Sequence, residues 1–376
     1  MLRSLSSPNK AHHASMSDSH PSNRSHRPIR LLLDFDGTLT KTDTLAPLSQ
    51  IGYSHHSHHS TTTTTSSPTS SPLIPWSSIV QSYLTDLTAH TNSYPYPPPQ
   101  RTTLAAEAAW LNSLRPIERA SAERAVEAGI WDGVTFAEVT EAAARAVQSG
   151  EVKCRPGWQE CVRSVLDGAG GRGKGRVEVV SVNWSRAWIW SVLHAAMDLN
   201  PETKKGRDWL DTIPIFANEL PSLIHNHTTT QSSLSIPGEV VELRTSGDKL
   251  RQLQLRQHHS FPLSRNTNTI STETEEENQE ENYFTVYIGD SPTDLECLVA
   301  ADLGICIRDE EMGSSQRELA ETLQRVGVQV GWVGDVDWKG RGKESGPCVV
   351  WARGFDDVRT FLERLKLGGD VLGVGE

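Results

Sequence analysis

Two carboxylates stand directly after an apolar run near the start of the chain. Asp34 and Asp36 follow Ile29–Leu33 and precede Gly37 and Thr38. Carboxylates held together at the end of a buried strand repel each other and resist ionisation unless a cation binds them. Oxygen ligands favour a hard divalent cation, typically Mg²⁺. With that cation bound, one carboxylate could act as a nucleophile while the other moves protons. The alternative interpretation is an ordinary Asp-Gly turn after a strand.

A second acidic loop follows another apolar run. Asp290 and Asp294 come after the segment 283–288, and Gly289 permits a tight turn between strand and loop. Both carboxylates could then face the same end of a sheet as the first pair. Taken alone, Asp294 could be an ordinary acidic residue in the first turn of a helix, stabilised by the helix dipole. Two acidic loops at strand ends in one chain favour a shared metal site over coincidence.

Candidate phosphate ligands lie in two further segments. Ser181 ends the apolar run 177–181, and Asn183 with the following backbone amides could bind phosphate oxygens. Lys249 could neutralise a nucleophilic carboxylate and a transferring phosphoryl group. A single Ser or Lys usually caps a helix or lies in solvent, so each signal is weak alone. Their order along the chain gives them weight.

That order resembles the four motifs of the haloacid dehalogenase-like (HAD) superfamily. The motifs are DFDGT, a serine at a strand end, a lysine that opens a helix, and GDSPTD, and they cover about Ile29 to Ile307. The first and fourth motifs are specific, whereas the second and third would not identify the family alone. The region between the first two motifs is similar to the helical cap of phosphoserine phosphatase-like members.

The resemblance implies a Mg²⁺-dependent phosphatase that acts on a small phosphorylated metabolite. Asp34 would be the nucleophile that forms an aspartyl-phosphate, and Asp36 would protonate the leaving oxygen and then activate water. Mg²⁺ would bind Asp34, the Asp36 carbonyl and Asp290, with Asp294 as a further or outer carboxylate. Asp43 is a candidate for substrate specificity. The phosphoryl group would be held by residues of three motifs, namely Gly37, Thr38, Ser181 and Lys249.

Two alternatives remain open at this point. A phosphomutase would use the same aspartyl-phosphate but return the phosphoryl group to the substrate. A catalytically silent binding or regulatory protein could keep the fold without turnover, although such a protein has no chemical need for all of these polar residues. The sequence does not identify the substrate or the oligomeric state.

The elements that must position these residues alternate along the chain. Short apolar runs at 29–33, 177–181, 212–216, 283–288 and 304–307 are typical of buried parallel strands. The run 348–351 predicts an edge strand, and 356–367 predicts a terminal helix. Helical segments between the strands predict an α/β fold with a doubly wound parallel sheet.

The composition of the chain varies enough to predict its domains. Residues 1–28 are expected to form a disordered tail, and 54–75, which includes the histidines of 55–59, a low-complexity insertion. Apolar spacing predicts a helical cap over 76–150, and Thr135 with Glu138 has the form of a capping box. The α/β core is then made of 29–53 and 151–376, interrupted by a disordered acidic insertion at about 258–282.

The overall composition excludes several classes of function. The 376 residues carry a formal net charge of −11, which argues against general nucleic-acid binding. No apolar run approaches the length that spans a bilayer, so no membrane partner is expected. Five cysteines without CxxC spacing predict free thiols in a reducing compartment. We therefore expect a cytoplasmic protein, with nuclear or organellar locations left open.

Overall fold

A computed structural model describes residues 27–60, 73–168, 174–199, 207–224, 242–255, 283–335 and 348–367. The strands are β1 (Ile29–Leu33), β2 (Arg176–Val180), β3 (Ile215–Phe216), β4 (Phe284–Gly289), β5 (Leu303–Ile307), β6 (Val330–Trp332) and β7 (Val349–Ala352). The helices up to β3 are α1 (Leu45–Ser60), α2 (Trp76–Ser93), α3 (Leu104–Ser113), α4 (Arg115–Glu127), α5 (Phe136–Ser149), α6 (Trp158–Leu166) and α7 (Arg186–Asp198). Those that follow are α8 (Pro221–Ile224), α9 (Ser246–Leu255), α10 (Leu295–Ala300), α11 (Ser314–Arg325) and α12 (Phe355–Leu367).

The seven strands form one sheet in the order β3-β2-β1-β4-β5-β7-β6, and every pairing is parallel. Successive residues of β1 face opposite layers of helices. Leu31 and Leu33 pack with α6, α7 and α12, whereas Leu32 packs with α9, α10 and α11. A parallel sheet that is covered on both sides confirms the predicted doubly wound α/β class.

The strand predictions are accurate at the centre of the sheet and less so at its edges. β1 has the predicted bounds, and the strands on either side of it are shifted by one residue. The run 212–216 is a strand only at Ile215–Phe216, because residues up to Thr212 form a 3-10 turn. The prediction that 348–351 is an edge strand is wrong: β7 lies inside the sheet, and the short strand β6 forms the edge.

The low-complexity insertion begins later than its composition predicts. Residues Ser54–Ser60 continue α1 without a break. His55 Nδ1 lies 2.7 Å from Glu138 Oε1, and His56 Nε2 lies 3.0 Å from the Gly129 carbonyl. These tertiary contacts supply the ordering free energy that a Ser- and His-rich segment lacks by itself. The rest of the predicted insertion, up to residue 72, lies outside the described residues.

The chain before β1 is ordered two residues earlier than expected. The Pro28 carbonyl accepts a hydrogen bond of 2.8 Å from Phe284 N, and Arg27 Nη1 donates to the Tyr283 carbonyl. The predicted disordered tail is therefore too long at its end, and its remainder, 1–26, lies outside the described residues. The predicted acidic insertion at 258–282 also lies outside them.

Six helices of the described residues, α1 to α6, lie between β1 and β2 along the chain, and the four that fall in the predicted cap region, α2 to α5, are called the cap below. The capping box at the start of α5 is confirmed, since Glu138 N donates to Thr135 Oγ1 and Thr135 N donates to Glu138 Oε2. The chain enters and leaves this region through two antiparallel segments joined by a bridge between Thr40 and Cys154. Within the described residues, no helix has the length and apolar character needed to cross a membrane.

Candidate active site

Three of the predicted carboxylates meet where the strand order changes direction. Asp34 follows β1 and Asp290 follows β4, which are neighbouring parallel strands. Asp34 N donates to the Ile288 carbonyl at 3.0 Å, which fixes the two strand ends together. In open α/β sheets the crevice beyond such a switch point is the usual place for a ligand. One ligand atom from each of Asp34, Asp290 and Asp294 lies within 4.8 Å of the others.

A buried ammonium group links two of these carboxylates. Lys249 Nζ lies 2.9 Å from Asp34 Oδ1 and 2.7 Å from Asp294 Oδ1, and the lysine is fully buried at the first turns of α9. Burial opposes the charge of Lys249, but the carboxylates of Asp294 and Asp34 outweigh it and raise the pKa of the amine. Lys249 therefore stays protonated, as the sequence hypothesis requires.

Asp294 already has a full set of hydrogen-bond donors. Its Oδ1 accepts from Lys249 and from the Tyr287 hydroxyl, and its Oδ2 accepts from the backbone N–H groups of Asp290 and Ser291 and from the Ser291 hydroxyl. A carboxylate has about four good acceptor positions, so these bonds leave little capacity for a metal. The geometry favours the outer of its two predicted roles, in which Asp294 orients Lys249 and the loop of Asp290.

The remaining carboxylates fit a hard cation. Burial and the nearby Asp294 carboxylate raise the pKa of Asp34 to about 7, although Lys249 opposes this. Burial, Asp294 and Asp34 together raise the pKa of Asp290 well above its usual range. Buried like charges of this kind are relieved by a bound cation, and an all-oxygen donor set suits Mg²⁺. Asp34 and Asp290 are the side chains that would hold it, and coordination by the Asp36 carbonyl stays a prediction.

The loop after β1 fits tightly around Asp290. Gly37 adopts φ 76°, and a Cβ at this position would lie 2.3 Å from Asp290 Oδ2. Thr38 donates from its hydroxyl to Asp290 Oδ1 at 2.9 Å. Arg155, which is buried, holds the Gly37 carbonyl with two N–H groups and pairs with Asp309 through two more bonds. Phosphate binding by Gly37 and Thr38 stays a prediction, and Arg155 is a supporting residue that the sequence did not indicate.

Asp36 is held by a separate hydrogen-bond network. Its Oδ1 accepts from the backbone N–H and the hydroxyl of Thr44, at 2.9 and 2.7 Å, and its Oδ2 accepts from Asn183 Nδ2 at 2.7 Å. The Trp188 indole donates to the same Thr44 hydroxyl. Burial and the nearby Asp43 carboxylate raise the pKa of Asp36 to about 7, against these hydrogen bonds. A carboxyl with this pKa can both give and take a proton near neutral pH.

Ser181 and Asn183 lie at the end of β2, next to β1. Asn183 donates to Asp36 and Thr44, and its Oδ1 accepts from Ser185 N, so this side chain positions the acid and is not free for phosphate. Ser181 is buried, and its hydroxyl oxygen accepts from Asn183 N, which leaves the hydroxyl proton available for a phosphoryl oxygen. Asn218 fixes this loop by donating to the carbonyls of Val182 and Asn183.

Asp43 lies close to this network but is exposed. Its Oδ1 accepts from Leu45 N at 2.9 Å at the start of α1. The carboxylate is close enough to Asp36 to raise the pKa of that group. Its predicted role in substrate specificity stays a prediction.

Comparisons with known proteins return matches among solved structures alone. No family profile matches the chain, and no curated protein matches it. A phospho-aspartyl intermediate analogue of phosphoserine phosphatase is 14% identical, with a TM-score of 0.32, and the match covers 79% of this chain and 91% of that one. A substrate-bound phosphoserine phosphatase complex is 14% identical with a TM-score of 0.36, over 89% of this chain and 98% of that one.

An apo form of phosphoserine phosphatase gives a similar result, with 14% identity, a TM-score of 0.33, and coverage of 78% of this chain and 91% of that one. The fold class rests on the observed seven-stranded parallel sheet.

Proposed function

We propose that this chain is a Mg²⁺-dependent phosphomonoesterase of the HAD type that acts on a small phosphorylated metabolite. The observation that supports it most is the contact of Lys249 Nζ with Asp34 Oδ1 at 2.9 Å, beside the buried carboxylate of Asp290. An ammonium and a cation site on either side of one carboxylate suit transfer of a dianionic group. A binding protein would bear the cost of burying these charges without using them.

The reaction would proceed in two steps with Asp34 as the nucleophile. A carboxylate oxygen of Asp34 attacks phosphorus, the bond from phosphorus to the ester oxygen breaks, and Asp36 gives its proton to that oxygen. Asp36 then takes a proton from water, which attacks the aspartyl-phosphate and releases inorganic phosphate with Asp34 restored. Mg²⁺ at Asp34 and Asp290 would offset the charge of the carboxylates and phosphoryl oxygens.

Other residues of the chain would hold the phosphoryl group and the acid. Lys249 contributes a fixed positive charge, and Ser181 contributes a hydroxyl donor at the end of the neighbouring strand. Thr44 and Asn183 keep the Asp36 carboxyl in one orientation. Substitution of Asp36 by Asn should therefore reduce turnover by roughly 10² to 10⁴-fold, the usual contribution of a general acid–base.

Beryllium fluoride tests the proposal without knowledge of the substrate, because it mimics a phosphoryl group on a carboxylate. With Mg²⁺ present, we expect a bound fluoride signal by ¹⁹F NMR and hydrolysis of a generic aryl phosphate. Both should disappear in Asp34→Asn and after chelation of the metal. The matched control is Asp43→Asn, which removes an exposed carboxylate of the same segment and should keep the bound signal.

The proposal would be wrong if the folded wild-type protein neither bound beryllium fluoride nor hydrolysed any phosphomonoester of a metabolite panel. Product analysis separates hydrolysis from the mutase alternative. Inorganic phosphate is expected from a phosphatase, whereas an isomeric phosphate ester would indicate a mutase.

A further inference from the structure

The corner between α3 and α4 contacts the helix that carries Lys249. Asn112, near the end of α3, accepts hydrogen bonds of 3.0 Å at its Oδ1 from Gly247 N and from the Thr245 hydroxyl. Gly247 lies two residues before Lys249, in the first turn of α9. The cap therefore binds the N-terminal end of this helix directly.

The same asparagine also contacts the helix that follows the second acidic motif. Asn112 Nδ2 donates to Glu296 Oε2 at 3.0 Å, and Glu296 lies two residues after Asp294. Its other N–H donates to the Ala108 carbonyl within α3. All four hydrogen-bonding positions of the amide are thus used, which fixes its orientation. One cap side chain joins the helix of Lys249 to the helix that follows Asp294.

A partly buried ion pair reinforces this contact. Arg115, the first residue of α4, pairs with Asp248, whose side chain is fully buried. Asp248 also accepts from the backbone N–H groups of Arg244 and Thr245, so it holds the turn that begins α9. Burial opposes ionisation of Asp248, but Arg115 and the backbone N–H of Arg244 outweigh it and lower the pKa of Asp248. The next residue along the chain is Lys249.

We propose that Asn112 and Arg115, called the cap corner below, are positioning residues that set Lys249 against Asp34. The expected effect on turnover rests on the proposed function. Lys249 reaches Asp34 and Asp294 at once, so a shift of α9 relative to α10 would lengthen one of two charge-assisted contacts. The cap corner would thus keep Lys249 in place against Asp34, so that the reactive centre is complete only when the cap is docked.

Gly247 offers a variant that separates positioning from stability. A Cβ at this residue would lie 2.3 Å from Asn112 Oδ1, so Gly247→Ala must displace the cap corner. Alanine favours a helix more than glycine does, which protects the folded state. We expect the variant to fold and its kcat on an aryl phosphate to fall by roughly 10 to 100-fold, because misplacement by about 1 Å has effects of this size.

Two arginines of α4 provide a matched pair of variants. Arg115→Ala should lower kcat with little change in KM and should weaken beryllium fluoride binding in parallel. Arg119→Ala removes the neighbouring pair with Glu242, in which the Arg119 side chain is 48% exposed, and should leave kcat within about twofold. Asn112→Ala should behave like Arg115→Ala. Thermal unfolding of each variant establishes that it is folded at the assay temperature.

Different results would contradict this inference and the proposed function. If wild type turns over and folded Gly247→Ala and Asn112→Ala keep wild-type kcat and beryllium fluoride affinity, the cap corner is merely structural and the inference is wrong. A lower unfolding temperature with unchanged kcat would overturn it in the same way. If the wild-type protein neither hydrolyses the aryl phosphate nor binds beryllium fluoride, the result contradicts the proposed function.

Discussion

The cap is attached to the α/β core on two sides, and the two attachments differ in chemistry. On one side α5 packs along α7 through buried apolar residues, with the rings of Phe136 and Trp190 5.6 Å apart. On the other side α3 buries Trp110 and Leu111 against the opposite face of the sheet, and the corner between α3 and α4 adds the hydrogen bonds of Asn112 and Arg115.

The difference shows how one insertion can be both held and oriented. Apolar burial is non-directional and proportional to area, so the apolar part of the α5 attachment stabilises the cap without orienting it, and the hydroxyl contact between Thr140 and Ser191 is long, at 3.3 Å. Hydrogen bonds require specific distances and angles. The α3 attachment has such bonds, and they end on the helix that carries Lys249 and on the helix that follows Asp294. Substitutions in the two attachments should therefore affect different properties: the stability of the cap at α5, and the position of Lys249 at α3.

The largest effect is expected from a charge placed in the apolar attachment. Ala143 of α5 is fully buried, and Ala143→Asp would bury a carboxylate without a partner. We expect the free energy of unfolding to fall by about 4 kcal/mol or more. Ala144→Asp is the matched control, because Ala144 is exposed and the change should cost less than about 1 kcal/mol, the loss of helix propensity. Urea unfolding measures both, and equal effects would contradict the assignment of α5 to a buried interface.

An intermediate effect is expected from the buried charges beside the α3 attachment. Glu107 is 2% exposed and accepts from Arg101 Nε and from Arg325 Nη1, each at 2.8 Å. Glu107→Ala would leave buried Arg101 without its carboxylate, and we expect a loss of about 3 kcal/mol. Arg325 is 19% exposed and can turn to water, so the loss should not be larger.

Glu123→Ala on α4 serves as its control, since Glu123 is exposed. Thermal unfolding should show almost no change for it. A loss for Glu107→Ala no greater than for Glu123→Ala would mean that this ionic cluster does not hold the cap.

The parts of the site that could be predicted from the sequence are those with a local pattern. Asp34 and Asp290 each follow a continuous apolar run, and the ends of neighbouring parallel strands meet, so their proximity followed from the fold class. Asn112 and Arg155 have no such pattern. The partners of Asn112 outside its own helix lie more than 130 residues away, and nothing adjacent to Asn112 in the sequence indicates that it joins the cap to the core.

The errors in the fold have a related cause. Ser54–Ser60 has the composition of a disordered segment, and its helix depends on contacts with Gly129 and Glu138, which only the folded cap provides. β6 is three residues long and incompletely buried, so it gives too short an apolar signal to be recognised. Tertiary contacts determine the structure of such segments, whereas the five buried and mainly apolar positions of β1 predict a strand by themselves.

The smallest effect is expected from the polar contact at the start of the apolar attachment. Burial opposes ionisation of Glu138, but hydrogen bonds from His55 and Thr135 outweigh it and lower its pKa below the ordinary 4.5. A carboxyl with a lowered pKa stabilises the folded state above pH 4.5, and this contribution is lost as the pH falls through the pKa of the folded protein. Because Glu138 is 33% exposed, the contribution should stay below about 1 kcal/mol. Unfolding free energies of wild type and Glu138→Gln should therefore differ at pH 7 and converge toward pH 3. Glu141→Gln on the exposed face of α5 should match wild type throughout, and a Glu138→Gln difference that persists at pH 3 would assign the effect to packing rather than charge.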